Sequence, residues 1–514
     1  MSERTENERG CANASSLPFA ARGTRIVTSA ALIRSKPVTR RAAQSFNILQ
    51  QTHPLQPDAP MSASVSLRGV AVAGALAVLL TPNMSHGQSA PPDRFASLRH
   101  VNLGDSAVWV GFSGQFRSRG EAWQNFNFAA PATANPNATF VLDRLVLGAD
   151  IHAGQHARLF VQARSSTATD RDLLGGRRAI DVDEFDLQQA YVEGRVGAAS
   201  GALSLRAGRQ DLAFGRERLL GAPDWANARR SFEGVSGGFS NPTSAVTAFW
   251  VRPVPVLKYE FNRRDTTTSL YGAYATHRVA EANLGLDAYW IRLDRLGAAF
   301  NGTAGRELRH TLGARVFGPL RPTGGLDYDL EAASQFGSVA DVNAIRASFV
   351  ASQVGYAMPR ARGSRVYAGL DYGSGDSAAG GDVGTFNLLY GSPHPYFGFM
   401  DVIGRQNALD LSAGASASRA LGSLGAQADV HRFTRANANE GIYNKLGAPI
   451  ARTGTLAMLP TSIGTELDLT VRYPFDRYFL IMSGWSMFWA GDFIKQSGPS
   501  KNIGYSYLSL QYTI

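Results

Sequence analysis

The chain has one cysteine, Cys11, among 514 residues. An intrachain disulfide is therefore excluded, and so is any cysteine-based metal knot. Lysine is nearly as scarce. It occurs only at positions 36, 258, 445, 495 and 501, so 46 of the 51 basic residues are arginine. Guanidinium is a planar fork that suits carboxylate and phosphate, whereas ammonium is a point charge. Codon usage rich in G and C yields the same excess, so the bias alone decides nothing. From Val108 onward no run of about 18 apolar residues occurs, which excludes a transmembrane helix there. No long amphipathic helix is legible either.

The one apolar run near the start is "VAVAGALAVLL", within residues 61–87. It is too short to span a bilayer. Arg68 precedes it, and Ser85 and Gly87 sit at −3 and −1 before a cut at Gln88. This is the layout of a secretory signal. Such signals belong at a start, so Met61 is expected to be the true start. Residues 1–60, without periodicity, are expected to be a mis-assigned or disordered extension. Residues 1–87 hold nine basic and four acidic residues and the only cysteine, so the exported chain has no cysteine and a net charge of +5 rather than +10. Such a mild charge is weak support for nucleic-acid binding. Residues 88–107 read as a short periplasmic segment.

From residue 108 to 514 the pattern is alternation, the period of a strand with two unlike faces. In "HARLFVQARSS", Ala157, Leu159, Val161 and Ala163 oppose Arg158, Phe160, Gln162 and Arg164. In "TELDLTVRY", Leu467, Leu469 and Val471 oppose Glu466, Asp468, Thr470 and Arg472. Eighteen such segments start near residues 108, 140, 156, 185, 202, 230, 243, 269, 282, 307, 325, 343, 364, 406, 422, 462, 478 and 503. Short links such as "AGQH", "SNPTS" and "PFDR" alternate with long ones near 124–138, 166–183, 212–229, 253–268, 375–405 and 434–461. One link, near 338–342, is short where a long one is due. Alternating turn and loop lengths are the mark of an outer-membrane barrel, with short periplasmic turns and long outer loops. The fold expected is an all-β, antiparallel transmembrane barrel of about 18 strands.

The final strand, "YLSLQYTI", alternates to the C-terminus with an aromatic near its end, like the segment read by the barrel assembly machinery. "YPFDRYF" puts aromatics on both sides of a turn, as at a membrane interface. Arginine facing lipid at the midplane costs about 2–4 kcal/mol. Strand arginines opposite the apolar face are therefore expected in the lumen: Arg144, Arg158, Arg164, Arg195, Arg206 and Arg472. Acids of the same parity are Asp150, Glu193, Glu466 and Asp468. About half of these charges are expected to pair with one another and brace the wall.

Two stretches carry a family resemblance. "GRQDLAFGRERLLGAPDWANARRSFEGV" (208–235) holds Gly208-Arg209-Gln210, Gly215, Arg218, Gly221, Trp225, Asn227, Arg229-Arg230-Ser231-Phe232 and Gly234. "LDYGSGDSAAGGDVGTFNLLYGSPHPYFGFMD" (370–401) holds Ser374-Gly375-Asp376, Phe386-Asn387, His394, Tyr396-Phe397-Gly398 and Asp401. Together they resemble the alginate export family over roughly 110–514. The resemblance implies an 18-stranded barrel and an arginine-rich constriction that passes an acidic polysaccharide. The candidate pore-lining or constriction residues are Arg144, Arg158, Arg164, Arg206, Arg209, Gln210, Arg218, Arg229 and Arg230. Arg209 has the lipid-facing parity of Leu205 and Ala207. It is expected at the strand's outer end, or after a bulge at Gly208. Segment 212–229 is expected to be a folded-in loop at the mouth.

The function expected is a passive outer-membrane channel for anionic solutes, including an alginate-like polyuronate. A porin for uptake of small nutrients shares the architecture. The partners are the anionic solute, outer-membrane lipid, the assembly machinery and periplasmic export proteins. "GVSGG" (234–238) matches a hydrolase elbow at Ser236, but that motif needs a helix after the turn and more strand follows. A membrane-embedded hydrolase is the remote alternative. Asp376 and Asp382 lack the ligand density of a calcium loop and read as flexible external loop. His86 and His394 lack metal-ligand spacing. No phosphate-binding or cofactor motif is present.

Overall fold

A computed structural model describes residues 93–104, 107–130, 135–198, 200–320, 324–358, 361 and 363–514. The expected signal segment and the extension before it lie outside the described residues. Eighteen long strands follow one another in the described chain. They are β1 Val108–Gln124, β2 Ala138–Ala153, β3 Ala157–Ala168, β4 Asp183–Ala198, β5 Gly201–Gln210 and β6 Ser231–Ser240. Next come β7 Ser244–Val254, β8 Thr268–Val279, β9 Leu284–Phe300, β10 Thr303–Pro319, β11 Leu326–Val339 and β12 Asn343–Ala357. The last six are β13 Ser364–Gly373, β14 Ala408–Leu421, β15 Leu424–Arg435, β16 Ser462–Pro474, β17 Phe479–Ala490 and β18 Ile503–Thr513. All eighteen begin within four residues of the positions read from the alternation.

Each strand pairs antiparallel with the next, as in β1 with β2 from Val108↔Ala153 to Trp123↔Ala138. The sheet closes on itself because β18 pairs with β1, from Gln115↔Thr513 to Gln124↔Gly504. Closure leaves no barrel strand with an unpaired edge. No described helix is long and apolar enough to cross a membrane, so crossing falls to the strands.

The two faces separate as the alternation requires. Leu147, Val192, Leu205, Trp250, Leu312 and Val354 each keep more than half of their surface exposed. Such a belt is tolerable only against lipid. The opposite parity is buried and charged: Arg117, Arg119 and Glu121 on β1, Arg309 and Arg315 on β10, and Glu466 and Asp468 on β16.

The short connections lie at one end. At the other, the links span 125–137, 169–182, 211–230, 255–267, 374–407, 436–461 and 491–502. Two outer links are short, 301–302 and 340–342, where the alternation shows only the second. At the short-turn end, Val101–Asn102 adds to β1 opposite Val110 and Trp109. There the Tyr478 hydroxyl donates to Asp93 at 2.8 Å and Phe95 meets the Tyr478 ring edge-on. Segment 93–104 therefore lies against the turn at 475–478.

Candidate channel constriction

Loop 211–230 turns inward after β5 and is held by arginines of the wall. The loop's Asp224–Ala226 peptide groups present their carbonyls to β1 and β2. Arg117 donates to Asp224 O at 2.7 Å, Trp225 O at 3.3 Å and Ala226 O at 3.2 Å. Arg119 donates to Trp225 O at 2.8 Å, and its guanidinium lies 3.9 Å over the Trp225 ring. Arg144 donates to Asp224 O, Ala226 O and the Asp224 carboxylate at 2.8–3.1 Å. Arg117 and Arg144 sit six or seven residues below the outer ends of their strands, so the loop descends well into the barrel. Asn227 fixes its return, donating to the carbonyls of Asp143, Thr167 and Asp181.

Loop 374–407 enters from the far wall and meets it. Arg405 grips Asp371 of β13 with both ends of its fork, at 2.6 and 2.7 Å. The amides of Phe399 and Met400 donate to Asp468 and Glu466 of β16. Asn387 exchanges bonds with Gln335 of β11 and donates to Glu307 of β10. The two loops then join. Leu220 and Tyr390 form a parallel bridge, with the Gly221 amide on Tyr390 O and the Tyr390 amide on Leu219 O, both at 3.0 Å. Ser392 N donates to Glu217 O, and Tyr396 Oη donates to Arg216 O at 2.9 Å. The result is a strap across the lumen, anchored on β1 and β2 at one side and on β10, β11, β13 and β16 at the other.

The motif residues of both stretches are mostly the ties of this strap. Gly398, at φ +81°, comes so close to Glu466 that a Cβ would lie 2.4 Å from its Oε1. Ser374 and Asp376 are buried, and the Asp376 amide donates to Glu440 Oε2 of loop 436–461. The root of that loop is thus packed, and the expectation of a flexible external loop at Asp376 is corrected. Ser374 and Gly375 there meet backbone and side-chain demands inside the barrel, whereas residues 377–382 are exposed.

The expected site residues fall at several depths. Arg158 of β3 binds both Asp150 oxygens through Nε and Nη2 and sits towards the short-turn end. Arg206 of β5 binds Glu193 and lies 4.2 Å over the Tyr191 ring. Arg164 is buried among Asp183, Gln188 and the Arg229 carbonyl. Arg144 is wholly buried beneath the strap. Arg218 reaches Asp329 and Glu331 of β11 at 3.0 and 2.7 Å. Arg229 binds Asp211 and Asp224. Gln210 is buried, accepting from Ser236 Oγ at 2.6 Å and donating to Gly208 O and Gly234 O.

Arg209 sits at the outer end of β5, as expected, but does not line the pore. It pairs with Ala190 and Glu233 in an unbroken ladder, which puts it on the outward face with Ala207 and Leu205. It donates to Asp186, Leu187 O and Asn262 O, tying loop 255–267 to the rim. Gly208 makes no bulge. Its φ of +131° instead lets the strand pass Ala190 O, which a Cβ would approach to 2.3 Å.

Of the lumen arginines expected from parity, Arg195 and Arg472 have no ion pair among the described residues; of the eight candidate constriction arginines, seven have a carboxylate partner. Arg230 is the exception. It donates to Gly221 O and Tyr390 O and has no ion pair among the described residues. Enclosure lowers its guanidinium to about 10, which leaves it cationic at neutral pH. It lines a cavity of about 650 Å³ beside the strap, together with Arg295, Lys445, Tyr390, Tyr443 and Gln406. Arg295 pairs with Glu307, and Lys445 with Asp401. Enclosure alone would raise the Asp401 carboxyl, but Lys445 and His394 outweigh it and hold Asp401 below the usual carboxylate range. At Asp224 the same enclosure is overcome by Arg144, Arg117 and Arg229, which lower its carboxyl, although 56% of its side-chain surface is exposed.

Arg117, Arg119, Arg295, Lys445 and Arg405 were not among the expected site residues. Arg117 and Arg119 have lumen parity in "FRSRGEAW", a signal open to reading. Nothing local marks Lys445 or Arg405, because both sit in irregular loops.

The hydrolase motif also has a structural account. Ser236 lies mid-strand in β6, opposite Arg206 and Phe249, with strand continuing to Ser240.

Comparison with known proteins agrees with this architecture. No curated protein sequence matches the chain. Solved structures do. Pseudomonas aeruginosa OpdO superposes with a TM-score of 0.52 at 13% identity, over 79% of this chain and 97% of that one. Acinetobacter baumannii OccAB2 gives 0.53 at 12% identity, over 78% and 98%. Pseudomonas aeruginosa OccK2 (OpdF), solved in complex with glucuronate, gives 0.50 at 13% identity, over 82% and 99%. At such identity the likeness is one of fold. The family model for alginate export matches residues 108–505, nearly the whole barrel. The chain belongs to the alginate export family and is a channel of the bacterial outer membrane.

Proposed function

We propose that this channel is selective for anionic solutes of the carboxylated-sugar class. The observation that carries this reading is Arg230, a cation with no ion pair among the described residues, on the wall of a cavity about 650 Å³ in volume. Arg295 and Lys445 share that wall, so a bound carboxylate meets three cations. Tyr390, Tyr443 and Gln406 offer rings and polar groups to a sugar. Contacts of about 1 kcal/mol each are strong enough to admit an anion and weak enough to release it. The glucuronate complex of OccK2 supports a uronate here, and the family supports its polymer.

The strap favours the second reading, a porin for small carboxylates. Two loops that meet through backbone bonds divide the lumen, and a small acid needs less clearance than a polymer. Catalysis has no place in the proposal, since family and fold are those of channels. The alternating C-terminal strand is proposed as the segment read by the assembly machinery, and periplasmic export proteins as partners at the short-turn end.

Planar-bilayer recording under a salt gradient tests the proposal. Anion selectivity that falls in Arg230→Gln supports it, and cation selectivity in the native channel contradicts it. Block by free glucuronate but not by polyuronate assigns the small-solute reading. Block by polyuronate at lower concentration assigns the polymer.

A further inference from the structure

One row of outward-facing side chains does not belong to a lipid belt. It crosses five adjacent strands in direct register: Tyr271 on β8, Arg292 on β9, His310 on β10, Phe336 on β11 and Arg346 on β12. The row shares the outward face with Trp290 and Leu312. It lies on the long-loop side of that apolar belt, where strands pass from lipid tails to head groups. The outer links above this sector are the two short ones, 301–302 and 340–342.

The row alternates aromatic and basic groups. The Trp290 indole donates to His310 Nδ1 at 3.1 Å. An indole N–H only donates, so Nδ1 accepts and the His310 proton sits on Nε2, as a further donor. The His310 ring stacks with Phe336 at 5.2 Å and with Trp290 at 5.8 Å. Arg292 lies 5.8 Å from the Tyr271 ring centre and has no hydrogen bond or ion pair among the described residues. Its Nε is buried without a partner. The nearby outward acid, Asp294, is taken by Arg306 at 2.9 Å. Arg346 is 80% exposed and only 3.9 Å from Asp382 at its closest. A half-buried guanidinium at a head-group boundary, with no hydrogen bond or ion pair among the described residues, calls for an anion from the membrane.

We propose that this face of β8–β12 binds the phosphates of a phosphorylated glycolipid of the outer leaflet. Arg292 and Arg346 supply the charge and His310 Nε2 an added donor. Three strand spacings separate the two arginines, about 14 Å, a length suited to a disaccharide head group with a phosphate at each end. Tyr271, Trp290 and Phe336 flank the sugar and the first carbons of the acyl chains. The site lies outside the lumen and does not depend on which solute the channel passes.

Native mass spectrometry of the detergent-purified channel, titrated with diphosphoryl lipid A, tests this. The native channel should hold the lipid, and each of Arg292→Gln and Arg346→Gln should weaken binding about fivefold, from roughly 1 kcal/mol per interfacial arginine. Arg292→Lys should retain most of the binding. Dephosphorylated lipid A should bind native and variant channels alike, and inorganic phosphate should not displace the lipid at equal concentration. All variants face outward, so unchanged heat-modifiable gel mobility and conductance serve as the folding control. Equal binding of diphosphoryl lipid A by native and doubly substituted channels would overturn the proposal, as would displacement by inorganic phosphate.

Discussion

Trp225 and His394 stack face to face, with ring centres 4.3 Å apart and planes 12° from parallel. Each comes from a different loop, so this contact is a seam of the strap. The Arg119 guanidinium lies on Trp225 at 3.9 Å, and Phe399 and Tyr507 meet its edge. Trp225→Ala should remove about 3 kcal/mol of local packing, the lower range for a large aromatic. Single-channel conductance should rise and become noisier. Trypsin should then cut at Arg216, Arg218, Arg229 or Arg230, which the native strap protects. Unchanged conductance and unchanged proteolysis would show that the seam does not hold the loops.

Arg230 separates charge from geometry. Arg230→Lys keeps a cation on the cavity wall, but its shorter side chain does not carry a donor to the position of Nη1, the one nitrogen that holds both Gly221 O and Tyr390 O. The lysine variant should keep anion selectivity yet bind glucuronate more weakly than the native channel. Arg230→Gln should lose both, with affinity falling about fivefold for one lost contact near water. Current block titrations read both quantities. A glutamine variant with native affinity would remove Arg230 from the solute path.

The barrel was legible in the sequence because a lipid-facing strand cannot conceal its period. Leu203 and Leu205 must face out while Ser204 and Arg206 face in, and a slip of one residue would reverse all four. The inner charges were legible only as to side. Arg144 finds Asp224 eighty residues away, and no spacing rule connects them. Among the described residues, six of the ten lumen-parity charges are ion-paired, close to the half expected: Arg144, Arg158, Arg164, Arg206, Asp150 and Glu193. Arg209 shows the same limit from the other direction. Its outward parity was visible, but its partner Asn262 belongs to a loop that only the fold brings near. The link at 301–302 escaped notice because the alternation resumes across it almost at once.

Ser236 gives a clean test of the enzyme alternative. Its hydroxyl donates to Gln210 Oε1 inside the wall, and Gln210 in turn holds the Gly208 and Gly234 carbonyls. Ser236→Ala should leave that buried acceptor unsatisfied and cost about 1–3 kcal/mol, seen as a lower unfolding temperature. Conductance should not change. Esterase turnover by the native channel that disappears in Ser236→Ala would contradict a purely structural role.

Asp401 sets how the loops respond to acid. Lys445 and His394 hold its carboxyl below the ordinary value of 3.8 against the opposing effect of enclosure. For a carboxylate with a depressed folded value, the stabilisation is complete above the ordinary value. It is then lost as pH falls through the window below it. The tie between loops 374–407 and 436–461 should therefore be firm at neutral pH and weaken progressively below about pH 4. Asp401→Asn should show the loosened behaviour already at neutral pH, because an amide cannot neutralise Lys445 and leaves it an unpaired charge. Recording open-channel noise from pH 7 to pH 3 checks both statements. If Asp401→Asn keeps the acid-dependent rise in noise seen in the native channel, another carboxylate is responsible. Glu440 is then the group to examine next, because it holds Asp376 N, Thr385 Oγ1 and Tyr443 Oη in the same seam. Enclosure raises its carboxyl. Protonation of Glu440 therefore begins at a higher pH than that of Asp401, so the onset of the noise identifies which of the two ties gives way.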